Sequence, residues 1–193
     1  MEIPRKEKIF ICHEKGNIVD VDFRENMPVW RNVRNLFEQF KEHTSGLRFS
    51  NTDDLEKLKL YTSYFQKIVE HYDIKIPEFT IFPLCSIIDS IGKLKFGNMG
   101  NKRRFLKAIE EYFDPQYASD PDFIESLSNF YTKERSPLTH EAERLGLMAQ
   151  VGSTAQISSF VKDQNGNYVF GAKHLFHIAI EVTGNYFEEI SIH

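Results

Sequence analysis

Apolar residues recur every three or four positions along most of this chain, and that spacing is the strongest constraint on its fold. In residues 28–43 the apolar stripe consists of Val29, Val33, Leu36, Phe37 and Phe40. Side chains with this spacing lie on one face of an α-helix and give it an apolar side to bury. Equivalent stripes predict further helices after Asn51, over residues 79–94, from Phe105 to Phe113, after Asp120 and Pro121, and over residues 173–189. The chain is therefore predicted to be mainly α-helical.

Two short segments depart from the helical pattern and predict β-hairpins, over residues 9–21 and 155–170. In the second segment, Asn165 and Gly166 supply the positive φ that a tight turn needs. Neither a repeat nor a long linker divides the sequence. We therefore expect a single domain over residues 1–193, built as a helical bundle with one or two small β-hairpins. Residues 1–50 form an N-terminal extension that contains a hairpin and the first helix.

The composition is typical of one globular domain. The 193 residues are 41% hydrophobic and 27% charged, which is too apolar for a disordered chain. The longest apolar runs stop well short of the roughly 18 residues of a membrane span, and no apolar signal-peptide core follows Met1. Cys12 and Cys85 are the only cysteines, which argues against a disulfide framework. We expect a cytoplasmic protein with no membrane partner.

Positive charge is concentrated in one short segment. Residues 1–108 carry 19 Lys and Arg against 15 Asp and Glu, whereas residues 109–193 carry 5 against 13. The sharpest excess lies between Asp89 and Glu110 and consists of Lys93, Lys95, Lys102, Arg103, Arg104 and Lys107. Such a patch attracts a polyanion even on an acidic protein. The alternative is a solvated loop that leads into a helix.

A second segment with chemical consequences is Arg135-Ser136-Pro137-Leu138-Thr139-His140. It places a permanently charged guanidinium five residues before an imidazole that titrates near neutral pH. These two groups suffice to hold a phosphate and to move a proton beside it. Pro137 predicts that the helix kinks or restarts here, with Ser136 as the cap of the new turn.

Four segments follow one another in an order that is typical of a known helical family: Leu84–Gly92, Asn101–Phe105, Phe130–Tyr131 and Arg135–His140. Together they resemble the HEPN superfamily, which includes toxin and CRISPR-linked ribonucleases. The signature of that superfamily is an Arg followed four to six residues later by a His, late in a helix. The resemblance covers roughly residues 80–193, the HEPN-like helical core. Active members commonly carry Asn, Asp or His after the Arg, whereas this chain has Ser136 followed by Pro137.

The resemblance implies a metal-independent endoribonuclease that needs no cofactor. Arg135 then holds the scissile phosphate, and His140 acts as general acid or base on the 2′-hydroxyl or the leaving 5′-oxygen. Ser136 or Thr139 donates a supporting hydrogen bond. Five residues along a helix separate the Arg and His side chains by about 7.5 Å of rise and roughly 140° of rotation, so one motif makes a poor site. Two motifs that face each other across a two-fold axis complete it, which implies a homodimer.

The implied partners are RNA, a second copy of the chain and, in a toxin–antitoxin or phage-defence system, an antitoxin-like protein. In this interpretation the six cations from Lys93 to Lys107 bind the RNA backbone. The alternative is a non-catalytic helical module that binds RNA, a nucleotide or a protein. In that case Arg135 pairs with Glu134 or Glu141, and His140 satisfies a helix end.

Other patterns in the sequence carry weaker predictions. His174, His177 and Glu181 are spaced i, i+3 and i+7, which suits metal ligands if another helix supplies more, but amphipathic helices also place such residues by chance. The segment Gly97–Gly100 has the form of a backbone-clamping loop and is interpreted as a turn between two helices. The sequence contains no phosphate-binding Gly-rich loop and no Gly-x-Ser-x-Gly elbow, so it gives no support for a nucleotide hydrolase or a serine hydrolase.

Overall fold

Helices form most of the described chain. The computed structural model describes residues 9–12, 18–21, 23–71, 77–132, 160 and 162–192. The helices in these ranges are α1 (Phe23–Ser45), α2 (Thr52–His71), α3 (Pro77–Phe96), α4 (Asn101–Tyr112), α5 (Pro115–Ala118), α6 (Pro121–Phe130) and α7 (Ala172–Glu189). The prediction of a mainly α-helical protein is confirmed. None of these described helices combines the length and the apolar character needed to cross a membrane.

Pairing between extended segments is limited in the described ranges. β1 (Ile9–Cys12) and β2 (Ile18–Val21) run antiparallel to each other. Nearer the end of the chain, a single antiparallel bridge joins Lys162 to Tyr168. The turn between them contains Gly166 with a φ of 83°, the positive value expected of an Asn-Gly turn. The first strand predicted there lies almost entirely outside the described residues.

Two Asp-Pro pairs determine where the short helices begin. Asp120 caps α6 because its carboxylate accepts a hydrogen bond from the Asp122 amide at 2.9 Å, and Pro121 follows in the first turn as predicted. Asp114 caps α5 in the same way by accepting from the Gln116 amide at 2.9 Å. This second Asp-Pro pair follows closely on the end of α4 at Tyr112. The helix α5 was not predicted, because four residues are too few to show helical periodicity.

α3 and α4 pack closely against each other. α3 ends at Phe96 because Gly97 adopts a left-handed φ of 72° and donates its amide to the Lys93 carbonyl at 3.0 Å. Within α3, Gly92 faces the backbone of α4. A Cβ at this position would lie 2.8 Å from the carbonyl carbon of Arg104. A larger residue at position 92 would therefore push the two helices apart.

α7 lies in the core and packs against α1, α3 and α4. Aromatic rings connect it to the other helices, since the centroid of Phe176 lies 5.8 Å from that of Phe65 on α2. Phe65 in turn makes an edge-to-face contact with Phe40 of α1 at 5.3 Å. Leu55 and Tyr64 fit the helical spacing of apolar residues that predicts the helix after Asn51, but they are 36% and 44% exposed. The buried stripe of α2 is therefore narrower than the sequence pattern suggested.

Candidate functional site

One face of α4 carries three of the cations that were predicted to bind RNA. Lys102, Arg103 and Lys107 occupy about 140° of the helix circumference, as their spacing of 100° per residue requires. They line a groove of about 580 Å³ together with Gly100, Asn101, Leu106 and Glu110. Within the described part of the chain, none of the three cations forms an ion pair with a carboxylate. The groove also includes the start of α4, where the helix dipole adds partial positive charge.

Both lysines of the groove contact neutral partners. Lys102 Nζ donates a hydrogen bond to Thr132 Oγ1 at 2.9 Å, and Lys107 Nζ lies 5.4 Å from the centroid of the Phe96 ring. A hydroxyl group or an aromatic ring orients a cation but leaves its charge in place. A fourth cation, Lys93, is exposed on the last turn of α3. We refer to these four residues as the open cations: Lys93, Lys102, Arg103 and Lys107.

Arg104 is engaged inside the fold. Its Nε and Nη2 atoms donate to the two carboxylate oxygens of Asp89 at 2.9 and 3.1 Å. Nη1 donates to the Met99 carbonyl at 2.9 Å, and Nη2 also donates to Asn101 Oδ1 at 2.7 Å. Four of the five guanidinium N–H groups are used in this way, and the side chains of Arg104 and Asp89 are only 12% and 13% exposed. The hydrogen bonds to Asp89 raise the pKa of the Arg104 guanidinium further above its usual value.

Lys95 is engaged by α7. Its Nζ forms an ion pair with Glu189 and lies 5.7 Å from the centroid of the Tyr112 ring, while the Tyr112 hydroxyl donates to Glu189 Oε2 at 2.6 Å. The hydrogen bonds from Lys95 and Tyr112 hold the pKa of the Glu189 carboxyl below its usual value, and the same contact raises the pKa of Lys95. Burial and the neighbouring Glu189 raise the pKa of the Tyr112 hydroxyl. This network joins α3, α4 and α7.

The six predicted RNA-binding residues therefore fall into two groups, the four open cations and the two that carboxylates neutralise. The sequence pattern of α4 contained a partial signal for this division. Arg104 lies in one row with Ala108 and Tyr112, at i, i+4 and i+8, and both of those residues are buried. The carboxylates of Asp89 and Glu189 were not recognised as partners. RNA binding itself stays a prediction for all six residues.

The predicted catalytic residues Arg135, Ser136 and His140 lie outside the described residues, as do Pro137 and Thr139. The chain before them is described as far as Thr132. The end of α6 packs against the beginning of α4 at this point, since the ring centroids of Tyr131 and Phe105 are 4.8 Å apart and Lys102 contacts Thr132. The open cations of α4 thus lie beside the part of the chain that leads into the Arg-His motif.

The histidines of α7 take part in packing. His174 Nδ1 accepts a hydrogen bond from the Gly171 amide at 3.1 Å, and His177 Nε2 lies 3.1 Å from Glu181 Oε2. The His177 ring also stacks on Phe160 with centroids 6.1 Å apart. No group of three or more His, Cys, Asp or Glu side chains suited to a metal ion occurs among the residues that the structure describes.

Comparisons with protein-family models, with curated proteins and with solved structures give no match for this chain. The resemblance to the HEPN superfamily therefore rests on the residues quoted for it. The function has to be argued from the geometry and charge of α4 and its surroundings.

Proposed function

We propose that this chain is an RNA-binding protein of the HEPN type. In this proposal the open cations hold the RNA backbone, and Arg135 and His140 cleave it in the cleft of a homodimer. The observation that carries the proposal is the groove of α4, where Lys102, Arg103 and Lys107 line one surface and keep their charges. The proposal includes a HEPN-like core over residues 80–193 of a single cytoplasmic domain with one or two small β-hairpins. It also includes an antitoxin-like protein as a further partner.

The spacing of the groove cations suits a nucleic-acid backbone. Lys107 follows Lys102 and Arg103 by five and four residues, which corresponds to roughly 6–7.5 Å of helix rise. A nucleic-acid strand carries a phosphate at every nucleotide, so two cations at this distance reach different phosphates of one strand. Cations at both ends of the interval contact the same strand. The groove therefore favours a polyanion over a ligand with a single phosphate.

Covalent connectivity supports a common role for the groove and the Arg-His motif. Lys102 binds the hydroxyl of Thr132, and Arg135 follows Thr132 by three residues. Three residues span at most about 11 Å even when fully extended. The motif therefore begins three residues after a residue that contacts the groove.

The proposed reaction uses only groups of the protein and the RNA. One His140 removes the proton of the 2′-hydroxyl, the resulting oxygen attacks the adjacent phosphorus, and the bond to the 5′-oxygen breaks. The partner's His140 protonates the leaving 5′-oxygen, which gives a 2′,3′-cyclic phosphate and a 5′-hydroxyl. Arg135 stabilises the charge that develops on the phosphate oxygens. Two proton-transfer groups are needed, and the two-fold axis supplies both.

RNA binding is tested through its dependence on salt. For a single strand, log K falls with log salt by about 0.7 per neutralised phosphate, so four open cations predict a slope with a magnitude of about 3. Replacing Lys102, Arg103 and Lys107 with Ala should lower that slope by about 2. The control replaces Arg48 and Lys67 with Ala, two exposed cations that lie outside the groove and form no ion pair within the described part of the chain. An equal loss of slope per replaced cation in the two variants, measured with an oligouridylate probe, would reject the groove as the binding surface.

Cleavage is tested separately with His140→Ala and end-labelled RNA in the presence of EDTA. Wild-type protein should produce 2′,3′-cyclic phosphate ends, and the variant should bind the RNA without cleaving it. If wild type and variant leave the RNA equally intact, the catalytic part of the proposal fails. The groove volume of about 580 Å³ also suits a small ligand, so a nucleotide that displaces the probe at stoichiometric concentration would favour the non-catalytic alternative.

A further inference from the structure

We infer that Arg104 and Asp89 position the cationic groove, and that Arg104 does not itself contact RNA. The inference rests on the proposed function, because it concerns the same surface. It separates two adjacent arginines that look equivalent in the sequence. Arg103 is an open cation, whereas Arg104 is a positioning residue that acts through the orientation of α4.

The contacts of Arg104 connect three consecutive parts of the chain. The guanidinium binds Asp89 of α3, the carbonyl of Met99 in the turn before α4, and the side chain of Asn101 at the first position of α4. The planar fork of arginine holds these partners in a fixed geometry, which a lysine ammonium cannot reproduce. One side chain thereby fixes the turn and the start of α4 relative to α3.

The location of this ion pair determines which way α4 faces. Gly92 allows the backbones of α3 and α4 to approach closely at Arg104, which sets their separation. Because successive residues of a helix differ by about 100° in direction, holding Arg104 against α3 turns Arg103 away from it. Lys107, three residues after Arg104, lies about 60° from it and meets Phe96 at the end of α3. Lys102 then points toward the end of α6, where it meets Thr132. Rotation of α4 would move all three groove cations together.

The two possible roles of Arg104 predict opposite effects of Asp89→Asn on RNA affinity. If Arg104 were a phosphate ligand held back by Asp89, neutralising that carboxylate would release it and strengthen RNA binding. If Arg104 is a positioning residue, Asp89→Asn weakens binding because the bidentate ion pair is lost. Arg104→Lys also distinguishes the two roles, because it keeps the positive charge and loses the planar guanidinium. A phosphate ligand would retain its effect on binding, whereas a positioning residue would lose it.

The experiment measures the affinity and salt slope of wild type, Asp89→Asn, Arg104→Lys and Arg48→Lys for a labelled single-stranded oligouridylate, per mole of folded protein. We expect Asp89→Asn and Arg104→Lys to weaken binding by about three- to tenfold, within the range for residues coupled through one hydrogen-bond network. Arg48→Lys is the matched control and should retain binding, because Arg48 is an exposed arginine outside the groove and the variant makes the same chemical change there. Asp89→Glu keeps the carboxylate and should restore most of the affinity.

Two results overturn the inference while the proposed function stands: tighter binding by Asp89→Asn, or wild-type affinity of Arg104→Lys. Failure of wild-type protein to bind the probe overturns both. If Asp89→Asn does not fold, Asn101→Ala replaces it, because it removes one hydrogen bond to Arg104 from an exposed side chain. That variant should weaken binding by about two- to threefold without a change in salt slope, and unchanged affinity would again refute the positioning role.

Discussion

Replacement of Gly92 with Ala is expected to destabilise the protein, whereas the same replacement of Gly184 is expected to stabilise it. Both glycines lie inside helices, Gly92 in α3 and Gly184 in α7. A Cβ at position 92 would lie 2.8 Å from the carbonyl carbon of Arg104, which is helix backbone and cannot move alone. A Cβ at position 184 would lie 3.7 Å from ring atoms of His43 and Phe40, an ordinary van der Waals distance.

The magnitudes follow from these distances. Within a helix, Ala is favoured over Gly by about 1 kcal/mol, and this gain is available at both positions. At Gly184 nothing opposes the gain, so about 1 kcal/mol of added stability is expected. At Gly92 overpacking against backbone costs about 2–3 kcal/mol and leaves a net loss of about 1–2 kcal/mol. The two variants should therefore differ by roughly 4–12 °C in Tm, at about 2–4 °C per kcal/mol for a chain of this length.

Urea and thermal unfolding, followed by far-UV circular dichroism, measure both variants against wild type under identical conditions. Gly184→Ala is the matched control, because it carries the same change in helix propensity and side-chain volume. If Gly92→Ala is as stable as Gly184→Ala, then α3 and α4 are not held at the separation that Gly92 permits. In that case the Arg104–Asp89 pair does not fix the rotation of α4 against α3.

Further predictions concern the polar network and the core. Tyr112→Phe removes the hydroxyl that donates to Glu189 Oε2 at 2.6 Å. Because this carboxylate is partly exposed, urea unfolding should show a decrease of only about 1 kcal/mol in the free energy of unfolding. An unchanged free energy would show that the network does not stabilise the fold. Lys95 and Tyr112 lower the pKa of Glu189 in the folded protein below its usual value of 4.5. Wild type should therefore be more stable than Glu189→Gln above pH 4.5. This difference in the free energy of unfolding should shrink as the pH falls through the lowered pKa. An advantage that grows on acidification would reverse the assigned sign. Phe65 is fully buried, so Phe65→Ala should lower the free energy of unfolding by about 3–5 kcal/mol. Leu60 is 51% exposed, so Leu60→Ala should change it by less than about 0.5 kcal/mol. Similar losses in the two variants would contradict the burial of Phe65 in the core.

The long helices could be predicted from the sequence because each buries one face, and the burial of one face imposes the helical spacing of apolar residues. The turn at Gly166 could be predicted because a positive φ is a local property of the chain. The role of Gly92 could not, since a glycine inside a helical pattern indicates only a small loss of helix propensity. Its importance arises from the close approach of α4, which depends on how two helices pack and not on either helix alone.

The number of cations in a sequence segment and the charge that a polyanion meets are different quantities. Arg103 and Arg104 are adjacent in the chain, yet a rotation of about 100° exposes one and directs the other to Asp89, which precedes it by 15 residues. The carboxylate that neutralises Lys95 is farther away still, on Glu189, 94 residues later. These pairs reduce six predicted contacts to four and lower the expected salt slope from about 4 to about 3. The electrostatic part of RNA affinity scales with the number of phosphates that are neutralised. The proposed RNA affinity therefore depends on the number of cations without a carboxylate partner, and the total number of Lys and Arg in the segment overestimates it.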